Sequence, residues 1–152
     1  MTSKVGLSVP MPLLAPATAT WAAPFAAYYI FLQLRVVRKR FSTKTRLGDK
    51  VADSKENIDP LLVASRAQVN FAENVPLALG IALLAEINGG NRFYINYALG
   101  ALFAFRIIHA EFGMYVKGGA GIGRPIGFLG TQTVVAGLAG YAAYLIKDYW
   151  LI

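Results

Sequence analysis

The sequence predicts an all-α integral membrane protein, a four-helix bundle, and three observations carry that expectation. The chain has 152 residues, of which 56% are hydrophobic and only 15% charged, well below the quarter of charged residues usual in soluble domains. No acidic or basic residue occurs from Val5 to Leu34 or from Pro125 to Ile146. Each run is long enough to cross a bilayer, which needs roughly 20 apolar residues at about 1.5 Å of rise apiece. Two further apolar segments, Leu61 to Ile87 and Phe93 to Val116, are interrupted by charges. A soluble enzyme, a disordered tail and a nucleic-acid module are thereby disfavoured. Helices are expected because four short segments are too few to close a barrel, and open strands would leave backbone groups unpaired in lipid.

The elements follow in order as one domain, 1–152, with spans near 13–34, 61–87, 93–116 and 125–147. Pro10, Pro12 and Pro16 make the approach to the first span irregular, so the helix is expected to start or kink between Pro16 and Pro24. Arg35, Arg38, Lys39 and Arg40 follow it directly, as a stop-transfer flank does, and mark it as a retained anchor rather than a cleaved signal. A basic loop, 35–60, leads to Asp59-Pro60, a cap and first-turn proline that begin the second span. Asn88-Gly89-Gly90-Asn91 turns the chain into the third span, and a glycine-rich stretch, Gly118 to Gly123, turns it into the fourth. Gly127, Gly130, Gly137 and Gly140 let that last helix approach its neighbours closely. Tyr141, Tyr144, Tyr149 and Trp150 form an aromatic belt at its end.

Lysine and arginine placement sets the orientation. Arg35, Arg38, Lys39, Arg40, Lys44, Arg46, Lys50 and Lys55 lie in the first connection, and Lys117 and Arg124 flank the third-to-fourth turn. Only Lys4, Arg92 and Lys147 lie on the opposite side. Both basic loops, 35–60 and 117–124, are therefore expected in the cytoplasm and both termini on the far side. Contact with anionic headgroups accounts for the net charge of +7 without nucleic acid.

Arg66, Asn70 and Glu73 are spaced i, i+4, i+7 and share one face of the second helix. In an upright helix Arg66 lies roughly 9 Å and Glu73 roughly 20 Å beyond Pro60. Each charge at such depth costs about 3 kcal/mol unless it is paired or faces a wet cavity. Pairing between helices would explain one such group. Three on a stripe, with Arg106 at similar depth on the third helix, favour a polar binding cavity. His109 is first a packing element and second a ligand contact. No metal is expected, because there is no second His and no Cys. Several guanidiniums and an amide suit an anion with carboxylates, while Glu73 suits an ammonium group, beside a lipophilic partner dissolved in the bilayer.

The stretch Arg66-Ala-Gln-Val-Asn-Phe-Ala-Glu73-Asn74-Val-Pro76 resembles the second-helix signature of the membrane-associated proteins in eicosanoid and glutathione metabolism. Arg106-Ile-Ile-His109, followed by Tyr115 and Arg124, is similar to the microsomal glutathione transferase branch of that family. The resemblance implies a homotrimer with glutathione bound between subunits on the cytoplasmic side. It implies that Arg66, Asn70, Glu73 and Asn74 hold the tripeptide, with Arg106, His109 and Tyr115 nearby and Arg38 or Arg40 adding a carboxylate contact. Arg124 corresponds to the arginine that stabilises the thiolate. Asn74 stands where the leukotriene-forming branch has Tyr, which points to general glutathione transfer or peroxidase chemistry on lipophilic electrophiles. The alternatives are a lipid-binding scaffold of the same family and, behind it, a transporter subunit. Endoplasmic reticulum and mitochondrial outer membrane both fit.

Overall fold

The first three long helices start where a side chain accepts from their free amides, and in two of them that side chain is local. A computed structural model describes residues 2–5, 9–49, 59–116 and 119–151. Two antiparallel strands, β1 (Thr2–Val5) and β2 (Val9–Pro12), precede α1 (Pro16–Thr43), α2 (Pro60–Ile87), α3 (Arg92–His109), α4 (Gly123–Leu145) and a last helical turn, α5 (Lys147–Trp150). A π-helical turn, Ala110–Met114, prolongs α3. Lys50, Lys55, Lys117 and Gly118 of the two expected loops lie outside the described residues.

The segment expected to be irregular before α1 contributes to an antiparallel strand pair instead, with Thr2 opposite Pro12 and Val5 opposite Val9. Both strands of a two-stranded ribbon are edges, where Pro10 and Pro12 cost no ladder bond that a neighbour needs. Asp59 caps α2 as its position predicts, its carboxylate accepting from the Leu61 N–H at 2.8 Å. Asn91 does the same for α3, accepting from Phe93 N–H at 2.9 Å. The start of α1 has no cap of its own. Glu86, in the last turn of α2, supplies one across the fold: its carboxylate accepts from Ala17 N–H at 2.9 Å and from the Thr18 N–H and hydroxyl at 2.8 Å each.

At its other end α1 runs nine residues beyond Leu34 before Lys44, with φ of 54°, turns it off. Lys and Arg are good helix formers, and no Gly or Pro intervenes, so the first part of the expected loop is helical.

α1 and α4 lie on opposite flanks of the α2–α3 pair: α1 packs on α2 and α3, and α4 on α3 and α2. The core between them is built around Phe25, Leu32, Phe71, Leu99 and Leu102. Phe25 meets Phe103 edge-on, with centroids 5.2 Å apart. On α2 the buried positions are mostly small, including Ala64, Ala67, Ala78 and Ala82, which brings the backbones close. α2, α4 and α3 with its π-turn are long and apolar enough to cross a membrane. α1 is not among them, since Thr18, Thr20, Trp21, Tyr28 and Tyr29 dilute its hydropathy.

The glycines of α4 divide into two pairs. A Cβ at Gly127 would lie 2.5 Å from His109 Cβ and 2.6 Å from the Phe105 carbonyl, and one at Gly130 would strike the Phe105 ring. At Gly137 and Gly140 it would meet no atom of the chain within 4 Å. Close approach within the chain thus needs only the first two of the four glycines. Gly127→Ala is expected to force α4 away from α3 and to lower stability by roughly 2 kcal/mol or more, read as a fall in the thermal midpoint of the purified protein.

Candidate functional site: a polar cleft between α2, α3 and α4

A cleft of about 730 Å³ opens where α2, the end of α3 and the start of α4 meet, within the roughly 300–1,000 Å³ typical of small-molecule sites. Arg66, Val69, Asn70 and Glu73 line it from α2, His109 and Met114 from α3 and its π-turn, and Arg124, Pro125 and Phe128 from α4. The i, i+4, i+7 stripe therefore faces one space together. Arg66 is loosely paired, its Nη2 3.8 Å from Asp49 and its side chain 65% exposed. Glu73 is exposed, and among the described residues no hydrogen bond or ion pair engages it.

Arg106 lies behind this surface rather than in it. It is 2% exposed, and its Nη1 donates to Asn70 Oδ1 at 2.8 Å. Its Nε and Nη2 are buried without a hydrogen-bond partner among the described residues. This bond fixes the Asn70 amide, because an oxygen held by a guanidinium leaves the NH₂ group as the free end. Asn74 is tied in place too. Its amide donates to the Asn70 carbonyl at 2.7 Å, and its Oδ1 accepts from Gln132 on α4 at 3.3 Å.

His109 is both a packing element and a wall of the cleft. Its Nδ1 lies 2.9 Å from the Arg124 carbonyl. A carbonyl oxygen only accepts, so Nδ1 bears the proton, and in the neutral ring Nε2 is an acceptor. Arg124, in the first turn of α4, is exposed and donates from Nη1 to the Gly119 carbonyl at 3.2 Å. Its backbone is gripped from the other side: a Cβ at Gly113 would come within 2.6 Å of Arg124 N.

Arg38, Arg40 and Tyr115 lie outside this cleft in the single chain. Arg38 is exposed on α1. Arg40 lines a separate cavity at the end of that helix. Tyr115 packs on the far side of the π-turn, its ring 4.2 Å from the Arg35 guanidinium.

Arg35, read from the sequence only as a flank, is the arginine that α1 turns inward. Its Nη1 is 2.6 Å from Glu111 Oε1, and the Tyr28 hydroxyl donates to the same oxygen at 2.9 Å. The signal for this was present. Phe25, Tyr28, Leu32 and Arg35 share one helical face, and Phe25 and Leu32 are core residues. Glu86 gave no comparable signal, because its partners lie 68 and 69 residues away. Among the described residues, no three of His, Cys, Asp and Glu converge as a metal site would require.

No curated protein matches the sequence. The model of the MAPEG family matches residues 18–144, from the first turn of α1 to the last of α4. On that match, which spans all four long helices and every residue lining the cleft, the chain belongs to the MAPEG family.

Proposed function

We propose that this chain is a membrane glutathione transferase of the microsomal type, with peroxidase capacity, acting on lipophilic electrophiles or lipid hydroperoxides. The family is membrane-associated and includes glutathione transferases and related enzymes. The observation that carries the reading is the cleft itself. Two guanidiniums, an amide, an imidazole and a carboxylate face one space among helices apolar enough for a bilayer. Such groups are retained in that setting when a polar ligand meets them.

Glutathione matches the donor set. Arg66 suits a carboxylate, the Asn70 NH₂ an acceptor, and Glu73 the ammonium group. Arg106 and Asn74 act one layer back by holding Asn70. Arg66 and Glu73 are exposed on one chain, which supports a homotrimer in which a neighbour closes the cleft and brings Arg38 or Arg40 to it. Tyr115 then bears on the site only through the π-turn. In this arrangement α1 is the fourth span, segments 35–60 and 117–124 are cytoplasmic, the first including the end of α1 and the second the start of α4, and endoplasmic reticulum and mitochondrial outer membrane both fit.

The chain has no cysteine, so the reacting sulfur is the substrate's. A guanidinium in a low-dielectric site lowers the thiol pKa, and we assign that role to Arg124, which lines the cleft. In conjugation the thiol proton passes to solvent, and the sulfur pair forms a C–S bond as the leaving group departs with its electrons. With a hydroperoxide the thiolate sulfur bonds to the distal oxygen as the O–O bond breaks, and the departing alkoxide takes a proton from solvent to leave as the alcohol. The resulting sulfenic acid and a second glutathione give the disulfide and water.

Removing one charge-assisted contact should weaken glutathione about tenfold or more. Arg66→Ala and Glu73→Gln are each expected to show this in calorimetric titration, and unchanged affinity in both would overturn the site. Arg124→Ala is expected to abolish the ultraviolet thiolate absorbance that develops on glutathione binding. A wild-type protein that binds glutathione without that absorbance would point to the non-catalytic scaffold. The exposed Arg124 and the apolar wall of Val69, Met114 and Phe128 are compatible with that second reading.

A further inference from the structure

The cavity at the end of α1 is separate from the polar cleft and has a different chemistry. It encloses about 640 Å³ and is lined by Val37, Arg40, Phe41, Lys44, Thr45 and Arg46. The chain is folded back to make it. Lys44 turns left-handed, Thr45 N–H donates to the Arg40 carbonyl at 3.1 Å, and Arg40 Nη1 donates to the Arg46 carbonyl at 3.1 Å. Three cations close in sequence thus border one hollow, and among the described residues no carboxylate lines it.

The rim is apolar and open. Phe41 is 81% exposed, and the adjoining Leu47 is 88% exposed. A soluble anion would be held by the cations alone and would leave these two side chains in water. An amphiphile uses both surfaces. Arg40 lies roughly 9 Å and Lys44 roughly 15 Å along α1 beyond Leu34, the last residue of the neutral run. With the first span placed in the bilayer, that is the depth of the headgroup layer.

We propose that this hollow seats the headgroup of an anionic phospholipid, with Arg40, Lys44 and Arg46 around the phosphate and Phe41 and Leu47 against the acyl chains. The site is independent of glutathione chemistry and takes Arg40 out of the cleft's donor set, leaving Arg38 for that role.

Native mass spectrometry of the full chain in neutral detergent tests this, with dioctanoyl phosphatidylglycerol, dioctanoyl phosphatidylcholine and glycerol 3-phosphate as probes. The wild type is expected to bind the anionic lipid at least about tenfold more tightly than the zwitterionic one. Arg40→Gln/Lys44→Gln/Arg46→Gln should erase that preference, while Lys147→Gln at the other end should keep it. Phe41→Ser should weaken the lipid without changing glycerol 3-phosphate. Equal binding of the two lipids, or a preference that survives the triple substitution, overturns the proposal. So does glycerol 3-phosphate binding as tightly as the lipid, which would make the hollow a soluble-anion site. Displacement of the lipid by glutathione would likewise return Arg40 to the cleft. None of these readouts depends on transferase activity.

Discussion

Glu86→Ala is expected to be the most destabilising single substitution outside the apolar core, lowering stability by roughly 3–5 kcal/mol. The Glu86 side chain has no solvent exposure. It satisfies the first two amides of α1 and the Thr18 hydroxyl, and Ala17 and Thr18 are themselves buried. Alanine would strand all three donors at a helix N-terminus, where the aligned peptide dipoles favour a negative charge. It would also release Arg92, whose Nε is 3.6 Å from the same carboxylate and whose Nη2 donates to the Leu13 carbonyl. At about 2–4 °C per kcal/mol for a chain of this size, the midpoint in a thermal scan followed by circular dichroism should fall by roughly 10 °C. Glu86→Gln, which keeps one acceptor oxygen, should lie between. A midpoint equal to wild type would show that water replaces the carboxylate without loss.

Asn70→Ala is expected to cost a similar amount for a different reason, together with glutathione affinity. Its Oδ1 is the side-chain acceptor for a guanidinium that is 2% exposed. Breaking a buried charge contact from one side costs roughly 3–5 kcal/mol, because the remaining charge stays buried. Removing that charge as well should recover most of the loss. The double variant Asn70→Ala/Arg106→Met is therefore expected to be more stable than Asn70→Ala alone, and still deficient in glutathione binding. Simple addition of the two single losses would mean that the residues are not coupled.

What could be read from the sequence was what depends on neighbours along the chain. The cap at Asp59, the turn at Asn88–Asn91 and the common face of Arg66, Asn70 and Glu73 all follow from helical geometry over a few residues, and the structure has them. The placement of Arg106 does not follow from spacing, although a depth matching that of Asn70 does, and the two side chains meet. Whether a residue enters a cleft or stands behind it depends on how α3 is rotated against α2, which no local spacing records. The same holds for α1, where Arg35 rather than Arg38 or Arg40 meets Glu111 because its face is continuous with Phe25 and Leu32. Gly127 and Gly130 could not be told from Gly137 and Gly140 by composition. Only the first pair lies where α3 crosses.

The π-turn at Ala110–Met114 closes with Tyr115 N–H on the Ala110 carbonyl at 3.0 Å, so this turn holds one residue more than an α-helical turn would. That surplus residue shifts the angular phase of everything after it. His109 and Met114 look toward α4, Glu111 and Tyr115 look toward α1, and Gly113 is left flat against the backbone of Arg124. An unbroken helix would have to surrender one of those three allegiances. The widened coil keeps them all, so one turn meets α1 through Glu111 and Tyr115 and the backbone of Arg124 through Gly113.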